Sequence, residues 1–577
     1  MIGPAACFSG SVVSIEEEVR LVRKQRRLLI DTVILGVVGA LSAQVFIFML
    51  RLANRFFLTL LTGYQAPGLP EEGGVLMERI GPHGLWLIPV ATTLGGLISG
   101  ILVFSLAPEA EGHGTDTAVK AFHNYGGYIR ARVPWLKMVA SAITIGSGGS
   151  AGREGPTALI SAGIGSIYAS YQRRPDDERR LLVLIGAAAG LSAIFRSPIG
   201  TAFFVIEVLY SNMEFDASAL VYTMLASAVA YAVNGLFVGW KPLFFLPSIP
   251  YPQFLDYPWY ILLGITAGLI ATLLPVVFYG TRDLFRKLPI PIHFKPAVGG
   301  FLLGIMALFL PQVLGGGYGW IQEAIDGKLA LQLMLILVFA KMLALSFTIS
   351  SGGSGGVFAP SLFVGAMLGG AMAQIFHQPA APFVVVGMGA VFGGAARVPV
   401  ATMLMVTEMT GGYTLLVPAA LTVMISYIIQ ANLSAHLKYD TLYEAQVPGR
   451  QDSPAHQVEH LEAAIRLLAE KRVTVPETVS HLDLRTLLAS GIPIDLPDNK
   501  RLTIGILKED SPYNGCIIKS CFPMQHHDGI DVVAVFRDGH THLPEPDLEL
   551  KAGDRLLVIA TSQDWSLQQR HFTPLTV

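Results

Sequence analysis

Apolar residues run in blocks along most of this chain instead of alternating with polar ones. The blocks lie at about 28–62, 85–106, 134–146, 157–170, 181–195, 198–211, 217–238, 258–280, 295–313, 330–349, 360–376, 382–396, 399–410 and 414–436. A helix needs about 20 apolar residues to cross the hydrocarbon of a bilayer. Several blocks are shorter than that and cluster after Gly-rich breaks. Short, interrupted segments predict broken helices whose ends meet near the membrane midplane. Non-helical backbone is tolerated at that depth only where it is buried in protein or lines a cavity.

The blocks also repeat. Lys137 to Pro156 reads KMVASAITIGSGGSAGREGP and Lys341 to Pro360 reads KMLALSFTISSGGSGGVFAP, with eleven of twenty positions identical and no gap. Arg196-Ser197-Pro198 with Thr201 and Glu207 returns as Arg397-Val398-Pro399 with Thr402 and Glu408. The membrane region is therefore two homologous halves, joined near residues 240–255, where proline is dense. The loop after the first short helix, YQRRPDDERR (Tyr171 to Arg180), carries four arginines, whereas its counterpart IFHQPAAPF (Ile375 to Phe383) carries no Lys or Arg. Positive charge marks the cytoplasmic side, so the two loops are expected on opposite sides and the repeats in inverted topology.

Composition fits this reading. The 577 residues are 52% hydrophobic and 14% charged, against about 25% charged in soluble domains. A net charge of −2 gives no footing for a nucleic-acid partner. Met1 to Glu18 lacks the basic start and long apolar core of a cleavable signal. Arg20, Arg23, Lys24, Arg26 and Arg27 directly precede the first apolar block, which places the N-terminus in the cytoplasm. The three cysteines (Cys7, Cys516, Cys521) lie outside the apolar region and imply no disulfide framework. We expect an N-terminal segment 1–27, a membrane region 28–445 (repeats 28–240 and 255–445) and a soluble tail 446–577. The fold class is an all-α polytopic membrane protein with two inverted repeats and a small α/β cytoplasmic C-terminal domain.

The candidate chemistry sits at Gly146 to Pro156, G-S-G-G-S-A-G-R-E-G-P. A Gly-rich turn opening a helix presents unpaired backbone N–H groups at the positive end of the helix dipole, which is an anion site. Glu154 lies inside it and is itself an anion. Glu154 and a diffusible anion would then compete for the same amides. A turn made for close helix packing, with Glu154 as dipole partner, accounts for the same residues. A nucleotide phosphate loop needs a Lys after its last Gly, and Arg153-Glu154 stands there instead.

With Gly152 to Pro156 (GREGP), Gly356 to Pro360 (GVFAP) and the repeat, residues 25–445 resemble the CLC family of chloride channels and proton/chloride exchangers. The resemblance implies a homodimer with one pore per subunit in the plasma (inner) membrane, both termini cytoplasmic, and chloride as the bound permeant ion without a cofactor. It implies that Glu154 is the gating glutamate, occupying an anion site when charged and leaving when protonated. It gives anion-binding positions at His113, Gly114, Gly152, Arg153, Gly155, Gly356, Val357, Phe358, Ala359 and Tyr443. Among these, Phe358 offers its amide and Tyr443 its hydroxyl. His113 stands where the family usually has serine: its imidazole can donate to an anion, or the neighbouring amides bind and His113 is only tolerated. Val208 stands where proton-coupled members carry an internal glutamate, and valine cannot hold a proton. On that ground the expectation leans to a passive channel, with proton-coupled exchange as the alternative. Glu207 and Glu408 are expected to be structural, buried against polar partners. An enzyme would need a nucleophile–base pair or a metal cluster among the apolar blocks, where His113 with Asp116 is the nearest candidate; none is expected.

Within the tail, Asp531 to Arg537 reads as a strand, Asp538-Gly539 as a hairpin turn, and Leu556 to Ile559 as a second strand. Residues 502–562 resemble the TrkA-C domain of potassium-uptake regulators, through Val532 to Val535, Leu543 to Pro546 and Leu550 to Ile559. That resemblance implies dimerisation and, in some members, a small nucleotide ligand. Cys516, Cys521, His526 and His527 do not have a zinc-site spacing, and no metal is expected.

Overall fold

In the computed structural model, the described residues are 15–70, 74–82, 84–214, 217–247, 249, 251–450, 453, 494–496, 500–521, 531–537, 540–542, 547–561 and 571–573. The chain divides between Gln446 and Val447 into two compact units.

The first unit is helical. Its first eight helices are α1 (Ile15–Asn54), α2 (Ile88–Leu106), α3 (Thr115–Asn124), α4 (Arg132–Gly146), α5 (Glu154–Tyr171), α6 (Asp176–Phe195), α7 (Pro198–Glu207) and α8 (Ala217–Val238). The second eight are α9 (Tyr257–Lys287), α10 (Lys295–Ala307), α11 (Tyr318–Ile325), α12 (Leu331–Ile349), α13 (Phe358–Ile375), α14 (Ala380–Ala395), α15 (Pro399–Thr410) and α16 (Leu416–Ser434). The sequence repeat falls on α4/α12, α5/α13 and α7/α15, so each helix of the first set corresponds to the helix eight places later. Helix α1 starts inside the segment 1–27 that the sequence reading set apart, because Ile15 to Arg27 continues directly into the apolar block. Among the described residues, seven helical segments are long and apolar enough to cross a membrane. The shorter ones, including α7, α14 and α15, are buried among them.

The halves are inverted. Arg27 and Arg174 both bond Glu178, at 2.7 and 3.2 Å, and Arg174 also bonds Asp31 at 2.6 Å. The basic N-terminal stretch and the arginine-rich loop thus lie on one face. Arg180 donates to the Phe122 carbonyl at 3.1 Å, which puts the end of α3 on that face too. The arginine-free loop lies at the far end of α9: Trp259 stacks on Phe376 and Tyr260 on Phe383. The other end of α9, at Arg282, bonds Glu444. A 31-residue helix is about 46 Å long, enough to separate the two loops by a bilayer.

Two reciprocal caps join the halves. Glu207 at the end of α7 accepts from the amides of Val400 and Ala401 at the start of α15, at 3.0 and 2.6 Å. Glu408 at the end of α15 accepts from the amides of Ile199 and Gly200 and from Ser197 Oγ, all at the start of α7. Each carboxylate lies on a helix N-terminus, where the dipole favours a negative charge. Both are buried against polar partners, as expected.

In the second unit, β1 (Ile494–Leu496), β2 (Lys500–Leu507), β3 (Asp531–Arg537), β4 (His540–His542), β5 (Arg555–Thr561) and β6 (Phe572–Thr573) form one antiparallel sheet of order β1-β2-β5-β3-β4, with β6 also on β2. The strands foreseen at 531–537 and 556–559 are β3 and β5. The hairpin turn Asp538-Gly539 lies outside the described residues, as do Leu543 to Pro546, His526 and His527. Arg537 donates twice to the buried Asp554, at 2.7 and 2.6 Å, and the Lys551 amide adds a third bond at 2.7 Å. The sequence implied no disulfide, but Cys516 and Cys521 are bonded, their Cα atoms 6.2 Å apart. The one-turn helix α17 (Ile518–Cys521) folds the segment back far enough to bring the two Cα atoms within disulfide range.

Candidate anion site

Four helix N-termini, of α3, α5, α11 and α13, meet inside the first unit, and their preceding Gly-rich turns are laced together. Gly152 and Gly356 exchange both backbone bonds, at 2.7 and 2.6 Å. Gly112 donates to Gly353 at 3.1 Å, Gly355 donates to Gly112 at 3.2 Å, and Gly315 donates to Gly148 at 3.2 Å. Such contact requires bare backbone. A Cβ on Gly155 would lie 2.0 Å from the His113 carbonyl oxygen. Gly114 has a φ of 83°, and a Cβ there would lie 2.7 Å from the Gly155 carbonyl oxygen.

Two buried lysines hold the turns from behind. Lys137 Nζ on α4 donates to the carbonyls of Ala110 and Gly112, at 3.0 and 2.6 Å. Its repeat mate Lys341 on α12 donates to those of Val313 and Gly315, at 2.8 and 2.7 Å. Turning the carbonyls toward an ammonium leaves the amide side of each turn to face the site. Pro156 and Pro360 stand third in α5 and α13. The first-turn donors are therefore the amides of Glu154 and Gly155 on one helix and of Phe358 and Ala359 on the other, none of which has a partner within its own helix.

Glu154 lies among these donors, 1% exposed. The Tyr318 hydroxyl, at the start of α11, donates to its Oε1. The Arg153 Nε is 3.8 Å from the same oxygen, and the Arg153 guanidinium lies over the Tyr318 ring. Oε2 sits against Gly152, beside the Ala359 amide: a Cβ on Gly152 would lie 2.1 Å from Oε2 and 3.0 Å from that nitrogen.

On the other side of the turns lie His113 and Tyr443, their rings 5.3 Å apart. Tyr443 is fully buried, with its hydroxyl at the Thr115 hydroxyl and within electrostatic reach of Glu154. Phe358 packs against Phe195, Phe204 and Phe392, and the last two also face Tyr443. His113 is 7% exposed, with Nδ1 lacking a hydrogen-bond partner. It lines a cavity of about 550 Å³ together with Asp116, Lys120, Arg282, Arg286 and Glu444. The paired bonds from Arg282, 2.6 and 3.0 Å long, hold the Glu444 carboxyl below the usual carboxylate range. This vestibule lies on the arginine-rich face.

The sequence-predicted positions 113, 114, 152–155, 356–359 and 443 are thus brought together, on both sides of one set of turns. Val208 lies apart from them, in a small apolar cavity behind α3 and α5. Sequence reasoning missed Tyr318, Thr115 and the purpose of Lys137 and Lys341. The signal was present: Gly315-Gly316-Gly317-Tyr318 precedes Lys341 much as Gly112-His113-Gly114-Thr115 precedes Lys137. Among the described residues no His, Cys, Asp and Glu cluster could hold a metal ion.

Comparison with known proteins agrees with this geometry. Residues 95–431 match the family described as voltage gated chloride channel, and residues 506–567 match the TrkA-C domain. The chain belongs to the voltage gated chloride channel (CLC) family, with a TrkA-C domain after the membrane unit. An H(+)/Cl(-) exchange transporter ClcA of Cronobacter sakazakii (strain ATCC BAA-894) is 30% identical over 404 residues, covering 66% of this chain and 83% of the relative. The ClcA of Salmonella agona (strain SL483) is 28% identical over 393 residues, covering 65% and 83%. Of solved structures, a slow cyanobacterial Cl-/H+ antiporter superposes with a TM-score of 0.64 at 21% identity, covering 72% of this chain and 96% of the other. A CLC-type fluoride/proton antiporter gives 0.61 at 21% identity, covering 75% and 99%. These two likenesses concern the fold alone.

Proposed function

We propose that this protein exchanges chloride, or a similar anion, for protons across the membrane, with Glu154 as the moving carboxylate. One observation carries the reading: the Glu154 side chain rests among the amides of two facing helix N-termini, where a permeating anion would bind. Dehydrating an anion is costly, and peptide N–H groups, a tyrosine hydroxyl and helix dipoles are fitted to replace the lost water. Protonation neutralises Glu154 and frees the site, so proton and anion use it in turn.

The lean of the sequence toward a passive channel rested on Val208. The relatives named as exchangers, two of them near 30% identity, support exchange instead. The channel reading keeps Val208 in its favour. Purified protein in lipid vesicles separates the two. With a chloride gradient and an opposing pH gradient, exchange moves the reversal potential away from the chloride equilibrium value, while a channel leaves it there. An unmoved value would overturn exchange.

The shared face of the basic N-terminal stretch and the arginine-rich loop supports cytoplasmic termini; a homodimer in the inner (plasma) membrane is what the family resemblance suggests. A small nucleotide is the ligand class that the TrkA-C likeness suggests for the tail.

A further inference from the structure

If protons are exchanged, they must reach Glu154 from the vestibule face, and Val208 offers no titratable group for that. Four carboxylates line the vestibule: Glu109, Glu111, Asp116 and Glu444. Glu109 is paired with Arg130, and Glu444 with Arg282 through bonds of 2.6 and 3.0 Å. Both are held in the charged form by those partners. Glu111 is exposed, with Arg282 and Arg286 as neighbouring cations. Asp116 differs from all three. It is the second residue of α3 and only half-buried, at the vestibule wall. Its Oδ1 accepts from the Ala445 amide at 2.7 Å. Among the described residues, Oδ2 meets no donor and no cation pairs with it.

Asp116 also reaches inward. Thr115 directly precedes it, and the Thr115 hydroxyl meets that of Tyr443, which lies within electrostatic reach of both Asp116 and Glu154. The Ala445 amide that holds Oδ1 is two residues after Tyr443, so one short segment carries both the phenol and the donor that fixes the carboxylate. Asp116 thus stands between vestibule water and the hydroxyl pair next to the gate. The groups facing it are the Glu444 carboxylate, the Tyr279 and Tyr443 hydroxyls, and the cations Lys120 and Arg282; His113 lines the same cavity. Glu444 opposes a second negative charge there, while the two cations support it. Neither protonation state of Asp116 is locked, unlike those of Glu109 and Glu444.

We propose that Asp116 is the inner proton acceptor of this exchanger, handing protons from the vestibule to Glu154 past the hydroxyls of Thr115 and Tyr443. This rests on the exchange reading above. Carboxylates lining a water-filled path through a membrane protein are suited to proton relay. In the forward step Oδ2 takes a proton from vestibule water, giving the neutral acid. The acid gives a proton to the Thr115–Tyr443 hydroxyl pair, which releases another through the anion site to the Glu154 carboxylate. Asp116 returns to the carboxylate. One proton enters, one leaves, and no other reactant is needed.

The test is chloride and proton flux, measured together in vesicles, for wild type, Asp116→Asn, Asp116→Glu and Glu111→Gln. Asparagine keeps an oxygen for the Ala445 amide and loses the proton-binding carboxylate, so it separates anchoring from relay. We expect Asp116→Asn to keep chloride flux while proton flux per chloride falls roughly tenfold or more. Asp116→Glu should restore a substantial part of it. Glu111→Gln should couple as wild type does; a loss equal to that of Asp116→Asn would assign the effect to the charge of the vestibule and overturn the proposal. Equal coupling in wild type and Asp116→Asn would also overturn it and leave exchange standing. An uncoupled wild type would overturn exchange itself. If Asp116→Asn does not fold, Thr115→Val decides: it removes the hydroxyl that meets Tyr443 and should lower proton flux per chloride, and unchanged coupling would overturn the relay.

Discussion

Tyr318 gives the most direct handle on the gate. Replacing it by Phe removes one hydroxyl and keeps the ring under Arg153 and against Phe244. The lost bond runs to a carboxylate, and hydrogen bonds to charged groups contribute roughly 1.5–3 kcal/mol. Glu154 acts as a tethered competitor, so its hold on the site sets the apparent affinity for the free anion. Weakening that hold by 1.5–3 kcal/mol corresponds to about a ten- to hundredfold gain in apparent chloride affinity. The upper end is reached only if Glu154 fills the site almost completely in the wild type. Calorimetric titration of purified protein with chloride reads the effect directly, and chloride efflux from vesicles should quicken alongside it. Unchanged affinity and efflux in Tyr318→Phe would refute the competition between Glu154 and the anion, because the bond would then hold a bystander.

Glu154→Gln should pass chloride with little dependence on pH, read as efflux at several external pH values. Gly152→Ala places a methyl against Glu154 Oε2 and the Ala359 amide; it should dislodge the carboxylate and flatten the same pH profile in part. His113→Ser should change the ranking of chloride, nitrate and bromide in competition fluxes, and an unchanged ranking would assign binding to the amides alone. Lys137→Met removes one donor from each of the Ala110 and Gly112 carbonyls, which keep Ser354 Oγ and the Gly355 amide; at about 0.5–1.5 kcal/mol for each bond lost it should lower the thermal unfolding midpoint in detergent. Asp554→Ala removes the carboxylate that accepts from Arg537 and from the Lys551 amide, while Arg537 keeps the Glu549 carbonyl; at roughly 1.5–3 kcal/mol for a charge-assisted bond it should loosen the sheet, seen by proteolysis, while chloride flux persists.

Much of the membrane architecture was legible because it is written twice. The duplicated Lys-to-Pro stretch gave α4–α5 and α12–α13, and the unequal charge of two corresponding loops gave their inversion. Glu154 was legible from the Gly-rich turn that holds it, and Phe358 and Tyr443 only through the family resemblance. Tyr318 was not, because an aromatic residue after glycines reads equally as an interfacial anchor, and only folding brings it onto a carboxylate 164 positions earlier. The cysteine pair was misread because spacing alone does not reveal the turn that closes it.

The crossed carboxylates of Glu207 and Glu408 bear on how the protein can move. Each is sunk in one half and grips the helix start of the other, and Gly152 and Gly356 exchange two further backbone bonds between the halves. Rocking one half against the other, a common transporter motion, would tear out several charge-assisted bonds at once with no water to replace them. The scaffold is thus locked, and motion is left to single side chains. A machine of this kind opens and shuts by the swing of one glutamate over a few ångströms, and cross-linking the two halves together should leave it running.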